Sequence, residues 1–384
     1  MRKLLFVSNL FPDAKEPYRG LDNVTVLHEL RRWFEVRVIS PRPWLPVLQR
    51  KPSLQPRAAD EVFAPEYLAT PYLPKVGGAA NHVLMARALR APLQKLRSDF
   101  EWDVVMSSWL FPDTSAVAMA LGENSEPLVA IAQGSDVHRY LRSPLRRRAI
   151  LSGLARSSAC ITRSNSLAIM LGEAGVAASK LVPIHNGINR DHFSLSAAHP
   201  VPQDERVLLF VGNLLPVKDP LFLVQCFAEL AKRRPQDRLR LVVVGKGPLE
   251  HAVRAEADRL GVGPQVSLTG PLDAADVGGW MRSAELLCMT SRNEGLPNVV
   301  LEAQACGLPV VATNVGGILE CVDADWKGAL VPLGDAGAWI AAVERFLDVP
   351  ADRQRIANIG AARHWAATAE RYREVIEAAI TGGQ

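Results

Sequence analysis

The sequence has few features of a secreted or membrane-spanning chain. No apolar run approaches the roughly 20 residues that cross a bilayer, and the amino terminus MRKLLFVSNLFP lacks the small-residue cleavage pattern of a signal peptide. Cysteine is scarce: the five residues are odd in number, widely spaced and mostly inside apolar runs, which argues against disulfides and a zinc site. We therefore expect reduced, buried thiols in a cytoplasmic protein.

The chain also lacks a strong excess of charge of one sign. Its formal net charge is +4, too small for a dedicated nucleic-acid-binding protein. Low-complexity tracts are absent, and 48% hydrophobic with 22% charged residues is the composition of a folded globular protein. Because 384 residues exceed one ordinary core, we expect two domains.

Short Val/Ile/Leu-rich runs alternate with helical patterns such as VTVLHELRRW, which predicts parallel sheets built from βαβ units. The first half has five such runs: KLLFVS (3–8), EVRVIS (35–40), DVVMSS (103–108), LVAIA (128–132) and ACIT (159–162). The second half has six: 207–212, 239–245, 266–270, 285–290, 309–313 and 329–333.

The polar, Pro-containing stretch SLSAAHPVPQDE (194–205) is the predicted linker between the two halves. The fold class is therefore α/β, with two doubly wound Rossmann-like domains, 1–197 and 205–364, facing each other across a deep cleft. In such sheets ligands bind beyond the carboxyl ends of the strands, near helix amino termini.

The stretch SRNEGLPNVVLEAQACGLPVVA (291–312) has two carboxylates in a strand, helix and strand context. Pro297 suits the first helical position and Gly307 the C-cap, so Glu294 lies in a loop at the sheet edge and Glu302 two turns into the helix. Glu302 is surrounded by apolar residues, where a charge is costly unless it meets a cation or a hydroxyl, such as that of a sugar. The alternative is an exposed helix residue beside a first-turn acid that complements the helix dipole.

Three other stretches place glycine or lysine where a chain can contact phosphate. VGNLLPVKDP (211–220) has Gly212 at a strand end and Lys218 before a helix. TNVGGILE (313–320) has a Gly pair that permits close backbone approach, and KEPYRGLDNV has Gly20 in the first βα loop. Each stretch alone is also compatible with an ordinary solvated loop.

In combination these motifs resemble the nucleotide-sugar-dependent retaining glycosyltransferases of family 4, which have the GT-B fold. EGLPNVVLEA with its Glu-x7-Glu spacing, CGLPVVATNVGGILE, VGNLLPVKDP and VVVGKGPLE carry the resemblance. HNGINRDHF (185–193) and GSDVH (134–138) resemble two further family signatures. The resemblance implies that the carboxyl-terminal helix, about 365–384, joins the first domain.

Carried over by position, the resemblance implies that Glu302 holds the donor ribose, Glu294 faces the donor sugar and Lys218 neutralises the leaving diphosphate. The nucleobase would lie near Gly245 and Leu268. The other implied donor-binding positions are Gly20, Gly212, Asn213, Arg292, Gly295, Leu296, Pro297 and Asn298.

The sequence departs from the family pattern at three positions. Asn213 stands where Arg is common, so one cation of the diphosphate clamp is absent, and Arg292, Arg19 and Lys246 are each candidates to replace it. Gln133 precedes Gly-Ser-Asp where His is frequent, and Asn189 replaces Asp in HNGIN.

The predicted function is transfer of a hexosyl unit from a UDP- or GDP-sugar to a glycan or lipid-linked acceptor, with retention and without a metal or other cofactor. We expect a role in polysaccharide or cell-envelope glycan synthesis. The only DxD-like string, Asp323-Ala324-Asp325, is interpreted as a turn rather than a metal site. Alternatives are a glycosidase using Glu294 and Glu302, a nucleotide-sugar epimerase of the same fold, and a non-catalytic sensor.

The acceptor side is predicted to lie in the first half. Asp136 or His138 is hypothesised to orient the acceptor hydroxyl. RYLRSPLRRR (139–148) carries five Arg and no acid, and PRPWLPVLQRK (41–51) is interpreted as an irregular Pro-rich surface loop. Together they suggest a basic, aromatic-edged surface that docks on anionic lipid at the inner face of the membrane, although a solvated helix face would have the same pattern.

Overall fold

The computed structural model describes residues 1–45, 53–122, 126–196 and 205–382. They divide into two compact units: unit 1 is Met1–Asn186 with Trp365–Gln384, and unit 2 is Gly187–His364. Each unit is a Rossmann-like α/β fold with a parallel sheet, as the alternation of apolar runs and helical patterns predicts.

Unit 1 contains, within the described residues, a seven-stranded parallel sheet of order β3-β2-β1-β4-β5-β6-β7. Its strands are β1 (Arg2–Val7), β2 (Phe34–Trp44), β3 (Glu66–Pro71), β4 (Val104–Ser108), β5 (Leu128–Ala132), β6 (Ala159–Thr162) and β7 (Leu181–Pro183). Its helices up to β7 are α1 (Leu21–Leu30), α2 (Asn81–Asp99), α3 (Ser115–Leu121), α4 (Ser135–His138), α5 (Pro144–Arg156) and α6 (Asn165–Glu173). The strand order reverses between β1 and β4, which is the position where doubly wound sheets bind ligands.

The core of unit 1 covers both faces of this sheet, because successive side chains of a strand point to opposite faces. In β1, Leu4 and Phe6 belong to one hydrophobic cluster, whereas Leu5 and Val7 belong to another. All four side chains are fully buried, so a continuous apolar run rather than an alternating one marks this strand.

β2 is longer than predicted. The segment 41–51, interpreted above as an irregular loop, begins with Pro41–Trp44, which form the end of β2 and pair with β3. Residues 46–51 of that segment lie outside the described residues. The prediction of a loop is therefore wrong for the first four residues.

The prolines of β2 are tolerated because their nitrogens face away from β3. The carbonyl of Arg42 faces β3 and accepts a hydrogen bond from the Thr70 hydroxyl at 3.0 Å. Pro41 and Pro43, one position to either side, point in the opposite direction, where the pairing of β2 with β1 has already ended at Ile39. No ladder bond is lost there, so proline does not exclude a strand.

Unit 2 contains, in its described part, a six-stranded parallel sheet of order β10-β9-β8-β11-β12-β13. Its strands are β8 (Arg206–Val211), β9 (Leu239–Val244), β10 (Val266–Gly270), β11 (Leu286–Met289), β12 (Val310–Thr313) and β13 (Gly328–Val331). Its helices are α7 (Pro220–Arg233), α8 (Glu250–Arg259), α9 (Ala274–Ser283), α10 (Asn298–Ala305), α11 (Ala336–Asp348) and α12 (Arg353–Ala361). Here the order reverses between β8 and β11.

The division between the units falls between Asn186 and Gly187, ahead of the predicted linker 194–205. The physical reason is that Ile188 and Phe193 are buried in a core cluster of unit 2. Most of the predicted linker lies outside the described residues.

The last helix, α13 (Trp365–Gly382), belongs to unit 1. Its buried Tyr372 and Ile376 share a hydrophobic cluster with Leu27 and Leu30 of α1. The chain therefore returns to its first unit after completing the second.

The five cysteines are buried free thiols, as predicted from their apolar surroundings. Among the helices in the described part of the chain, none combines the length and apolar composition that crossing a bilayer requires.

Candidate functional site

The candidate site of unit 2 lies where β8 and β11 run side by side. These neighbouring parallel strands are paired through Leu286 and Leu287 of β11. The segments 212–219 and 290–297 follow them, so both emerge at the same edge of the sheet. This edge is the topological switch point of unit 2, and most of the predicted donor-binding residues are in these two segments.

Lys218 and Glu294 form an ion pair at this edge. The Lys218 ammonium nitrogen lies 2.5 Å from Oε1 of Glu294. The same oxygen accepts a hydrogen bond from the Ser291 hydroxyl at 2.6 Å, and the Ser291 carbonyl in turn accepts one from the Thr313 hydroxyl. Glu294 is 9% exposed, so its charge is held by a cation and a hydroxyl in a nearly dry position.

Three further hydrogen bonds and an ion pair join the two segments. The Thr290 hydroxyl donates to the carbonyls of Lys218 at 3.2 Å and Asp219 at 2.9 Å. The Arg292 N–H donates to the Val217 carbonyl at 2.8 Å, and the Arg292 guanidinium pairs with the Asp219 carboxylate at 2.8 Å. These bonds fix the position of Lys218 relative to Glu294.

The Gly pair of TNVGGILE packs against the loop that carries Glu294. Gly316 has φ +57°, and a Cβ at this position would lie 1.8 Å from the Glu294 carbonyl oxygen. The next amide, Gly317 N–H, donates to the Gly295 carbonyl at 2.7 Å. The close approach predicted for this pair is thus made to the protein's own loop.

A second close approach lies at the ends of β8, β9 and β10. Gly245 has φ +130°, and a Cβ there would lie 2.1 Å from the Gly212 carbonyl oxygen. The Gly212 N–H donates to the carbonyl of Val244, the last residue of β9, at 2.9 Å, and the Gly245 N–H donates to the Gly270 carbonyl at 2.9 Å. Leu268 is half-buried against the core, and Asn213 is exposed.

The remaining predicted donor residues lie at the start of α10. Pro297 precedes the first helical residue, Asn298, instead of occupying that position, and Leu296 packs against the core. Glu302 is half-buried on the second turn. Gly307 follows the C-cap residue with φ +70°, a left-handed conformation that glycine adopts without strain.

The three candidates to replace the cation missing at Asn213 differ in their contacts. Arg292 is paired, as described above. Arg19, in unit 1, pairs with Glu16 at 3.0 Å. Lys246 follows Gly245 directly and is exposed, and among the described residues it makes no ion pair.

Gly20, the one predicted donor residue in unit 1, immediately precedes α1. Its φ is +63°, and a Cβ would lie 2.1 Å from the Leu10 carbonyl oxygen. The same carbonyl accepts a hydrogen bond from the Asn23 side chain at 2.9 Å. Glycine is therefore required here by the close approach of the β1–α1 loop to itself.

Asp136 is fully buried at the start of α4, and its surroundings are backbone amides. Its carboxylate accepts hydrogen bonds from the N–H groups of Leu110 at 2.9 Å, Gln133 at 3.1 Å, Gly134 at 2.8 Å and Val137 at 3.1 Å. Burial raises the pKa of Asp136 above its ordinary value, and these bonds oppose that rise. The carboxylate thus ties the loop after β5 to the loop after β4.

His138 is half-buried two residues later. Its Nε2 atom is buried, and no group among the described residues hydrogen-bonds to it. Burial, followed by the positive charge of Arg142, lowers the pKa of His138. The ring is therefore favoured in its neutral form, which can accept a proton.

The basic segment 139–148 leads into and begins α5. Arg146 is half-buried: its guanidinium lies 4.7 Å from the Tyr140 ring centroid and 5.6 Å from that of Phe111. Leu145 is 67% exposed. The exposed arginines of this segment are Arg139, Arg142, Arg147 and Arg148.

The DxD-like string lies on the surface of unit 2. Asp323 is paired with Lys327 at 2.5 Å, and the Asp325 carbonyl accepts a hydrogen bond from Arg345 at 3.3 Å. Within the described part of the chain, no three His, Cys, Asp or Glu side chains are grouped as metal ligands would be.

The sequence did not predict two residues that contribute to the site. Ser291 and Asp219 hold the Glu294 carboxylate and the Arg292 guanidinium, respectively. The signal available for Ser291 was its place directly after an apolar strand, three residues before an acid. Asp219 gave no such signal, because it forms its ion pair with a residue 73 positions away.

Two family models match the chain. The model described as "Glycosyl transferases group 1" matches residues 205–349, and the one described as "Glycosyltransferase Family 4" matches residues 23–192. The first match contains Lys218, Glu294 and Glu302, and the second contains Asp136.

Several relatives carry the name D-inositol 3-phosphate glycosyltransferase. The one from Thermobispora bispora is 38% identical over 192 residues, which are 47% of this chain and 45% of the relative. One from Catenulispora acidiphila is 34% identical over 226 residues, 54% of this chain and 52% of the relative. The chain thus spans about half the length of the relatives it matches.

Solved structures share the fold over the whole chain. Sucrose-phosphate synthase from Thermosynechococcus elongatus has a TM-score of 0.76 at 18% identity and covers 100% of both chains. The Anabaena HepE protein in complex with UDP has a TM-score of 0.75 at 16% identity, covering 98% of this chain and 100% of the other. These neighbours establish the GT-B fold.

Proposed function

Because the chain belongs to the family 4 glycosyltransferases of the GT-B fold, we propose that it transfers a hexosyl unit from a UDP- or GDP-sugar to a glycan or lipid-linked acceptor. The transfer retains the configuration of the anomeric carbon, giving an α linkage, and uses no metal ion. The product belongs to polysaccharide or cell-envelope glycan synthesis. D-inositol 3-phosphate, in the names of the relatives, is a further acceptor to test.

The observation that carries this proposal is the ion pair of Lys218 and Glu294 at the switch point of unit 2. An ammonium group has three N–H donors, and Glu294 accepts one of them. The other two are available for the oxygens of a diphosphate. Lys218 is thereby oriented before the donor arrives, which is the condition for effective electrostatic stabilisation.

In the proposed step, the bond between the anomeric carbon and the diphosphate oxygen breaks while the acceptor oxygen bonds to the same face of that carbon. The acceptor hydroxyl proton passes to the departing diphosphate, so charge and atoms balance. Lys218 and the amino terminus of α10 stabilise the negative charge of the leaving group. Glu294 contacts the transferred sugar, and Glu302 holds the ribose.

The test is release of nucleoside diphosphate from a panel of UDP- and GDP-sugars in EDTA. We expect one donor to be cleaved slowly without acceptor and Glu302→Gln to raise the KM for that donor at least tenfold, since a ribose hydrogen bond to a charged group is lost. Glu344→Gln, which changes a half-buried glutamate of α11, is the matched control.

The rival functions give other outcomes in the same assay. Conversion of the donor sugar without release of the diphosphate would establish an epimerase. Donor binding without any turnover would favour a sensor or an enzyme that cleaves its donor only when the acceptor is bound. Loss of activity in EDTA that is restored by a divalent ion would refute the metal-independent mechanism.

His138 is proposed to orient the acceptor hydroxyl, with Asp136 positioning the loop that carries it through its bonds to backbone amides. Because Asp136 bonds four backbone amides, His138→Ala is the cleaner variant. Wild-type turnover by His138→Ala would remove this residue from the proposal.

The exposed arginines of segment 139–148, together with exposed Leu145, support docking of unit 1 on anionic lipid at the inner face of the membrane. Each surface arginine contributes about 1 kcal/mol to such binding. We therefore expect Arg147→Ala/Arg148→Ala to weaken co-sedimentation with phosphatidylserine vesicles at least tenfold at low salt. Lys232→Ala/Arg233→Ala, on α7, is the charge-matched control, and equal losses in both pairs would contradict specific docking.

A further inference from the structure

A pocket lies at the switch point of unit 1. It has a volume of about 390 Å³ and is bordered by the segments that follow β1 and β4. This volume is within the range of small-molecule sites. Among its described lining residues are three aromatic side chains, Tyr72, Trp109 and Tyr140. The donor chemistry proposed above uses none of these three aromatic residues, whereas two other lining residues, Arg19 and Gly20, are predicted from the sequence to act on the donor side.

Trp109 has an unusual backbone conformation. Its φ is +78° and ψ is +104°, a region that bulky side chains rarely adopt. The conformation is held on both sides, because the Trp109 N–H donates to the Ile131 carbonyl at 3.0 Å and its own carbonyl accepts from the Thr114 N–H at 3.0 Å. Backbone conformations of this kind cluster at active sites, ligand clamps and switch regions.

Two buried carboxylates fasten the turn that follows Trp109. Asp136 accepts the Leu110 N–H. Asp113 accepts a hydrogen bond from the backbone N–H of Asn9 at 2.6 Å. The Asn9 side-chain amide Nδ2 donates to both carboxylate oxygens of Asp113, at 2.9 and 2.7 Å. Burial raises the pKa of Asp113 to about 7. Trp109 therefore lies in a segment that hydrogen bonds fasten to the ends of β1 and β5, and not in a free surface loop.

Tyr140 completes a rigid aromatic corner with Trp109. The two ring centroids are 6.3 Å apart at an interplanar angle of 84°. The Arg146 guanidinium lies over the Tyr140 ring, 4.7 Å from its centroid. The Tyr140 ring is thus held between the Arg146 guanidinium and the Trp109 indole. Because Tyr140 is fixed, it holds the Trp109 ring in place as one wall of the pocket.

The polar groups around the pocket are largely satisfied within the protein. Arg19 is the charged residue among the described lining, and its guanidinium donates to the Asn9 carbonyl at 2.7 Å, to the Asn9 side chain at 2.8 Å and to Glu16 at 3.0 Å. The Asn81 amide bonds both backbone groups of Leu73. Ring faces and neutral groups are therefore what the pocket presents to a ligand.

We propose that Trp109 is a specificity-determining residue of the acceptor pocket, and that this pocket takes an uncharged glycosyl unit whose C–H face stacks on the indole; this rests on the proposed transferase function. The C–H groups of a pyranose face carry partial positive charge, and the ring face carries the negative side of the aromatic quadrupole. A phosphorylated acceptor would instead need cations that are free to bind it.

The test compares the wild type with Trp109→Gly and Trp109→Tyr. Glycine adopts the positive φ without strain, while tyrosine restores a ring. Saturation-transfer NMR with methyl α- and β-glycosides of glucose, galactose and mannose measures binding without any donor, and myo-inositol 3-phosphate is the charged probe. Trp326→Ala, in unit 2, is the tryptophan control.

We expect saturation transfer to at least one neutral glycoside, loss of that signal in Trp109→Gly, and recovery in Trp109→Tyr. In the transfer assay, Trp109→Gly should raise the acceptor KM at least tenfold and leave the donor KM within about twofold of wild type. Binding of inositol phosphate with no glycoside bound, or glycoside binding unchanged by Trp109→Gly, would overturn the assignment. Failure of the transferase function itself would appear separately, as absence of diphosphate release.

Discussion

Replacing Lys218 by alanine is expected to lower the kcat for nucleoside diphosphate release by about two to three orders of magnitude, with a smaller rise in the donor KM. A preorganised donor aimed at a developing negative charge is worth about this much in turnover. The ground-state diphosphate also contacts the α10 amino terminus in the proposed mechanism, so donor binding is partly preserved. Steady-state release measures both constants with whichever donor of the UDP- and GDP-sugar panel the protein cleaves.

The same substitution leaves Glu294 with the Ser291 hydroxyl as its remaining described side-chain partner. Since an unpaired carboxylate in a nearly dry position is destabilising, thermal unfolding must be recorded alongside the kinetics. Lys218→Arg retains the positive charge but replaces the compact ammonium group with a planar guanidinium. We therefore expect its kcat to lie between those of the wild type and Lys218→Ala. Lys232→Ala, on the exposed end of α7, is the control. Wild-type kcat in folded Lys218→Ala would refute leaving-group stabilisation by this residue.

Replacing Gly316 by alanine is expected to reduce diphosphate release at least 100-fold without touching a side chain of the site. The new Cβ would lie 1.8 Å from the Glu294 carbonyl oxygen, so the loop 291–297 must move. A movement of about 1 Å at a reacting group can cost on the order of 100-fold in rate. The displacement would also separate Glu294 from Lys218.

Gly334 offers a matched control for this experiment. Its φ is +78°, similar to +57° at Gly316, but a Cβ there would meet nothing within 4 Å. Gly334→Ala therefore reports the cost of the left-handed conformation alone, about 1–2 kcal/mol of unfolding free energy. Gly316→Ala should be further destabilised and inactive, whereas Gly334→Ala should remain active. Equal activity of the two variants would show that the approach to Glu294 is not a constraint on the site.

The sequence determined the type of fold because the central strands of both sheets are buried on two faces and are therefore apolar runs. Each of the six strands of unit 2 was predicted, including the edge strands β10 and β13, which are only partly buried. β3 and β7 were not predicted. Both are edge strands, and they contain polar residues or proline that one-sided pairing tolerates.

The residues of the candidate donor site were predictable by their positions along the strands and helices, but their contacts were not. Strand ends and helix starts placed Lys218, Glu294 and Asn298 at one sheet edge, because parallel strands present their carboxyl ends together. The Gly pair at 316 and 317 was predicted to meet a ligand, but it meets the Glu294 loop. A close approach can be inferred from glycine, whereas its partner depends on which loops the fold brings together.

What the sequence alone determined is therefore the two Rossmann-like units, which follow from periodicity, and the family, which follows from motifs that resemble its signatures. The sequence also predicts the sheet edge at which the candidate donor site lies. The tertiary structure decided the rest. It paired Lys218 with Glu294 across 76 positions of sequence and held Trp109 at a positive φ through backbone hydrogen bonds with Ile131 and Thr114. Pairings over such distances and strained backbone conformations depend on packing, which no local pattern of residues encodes.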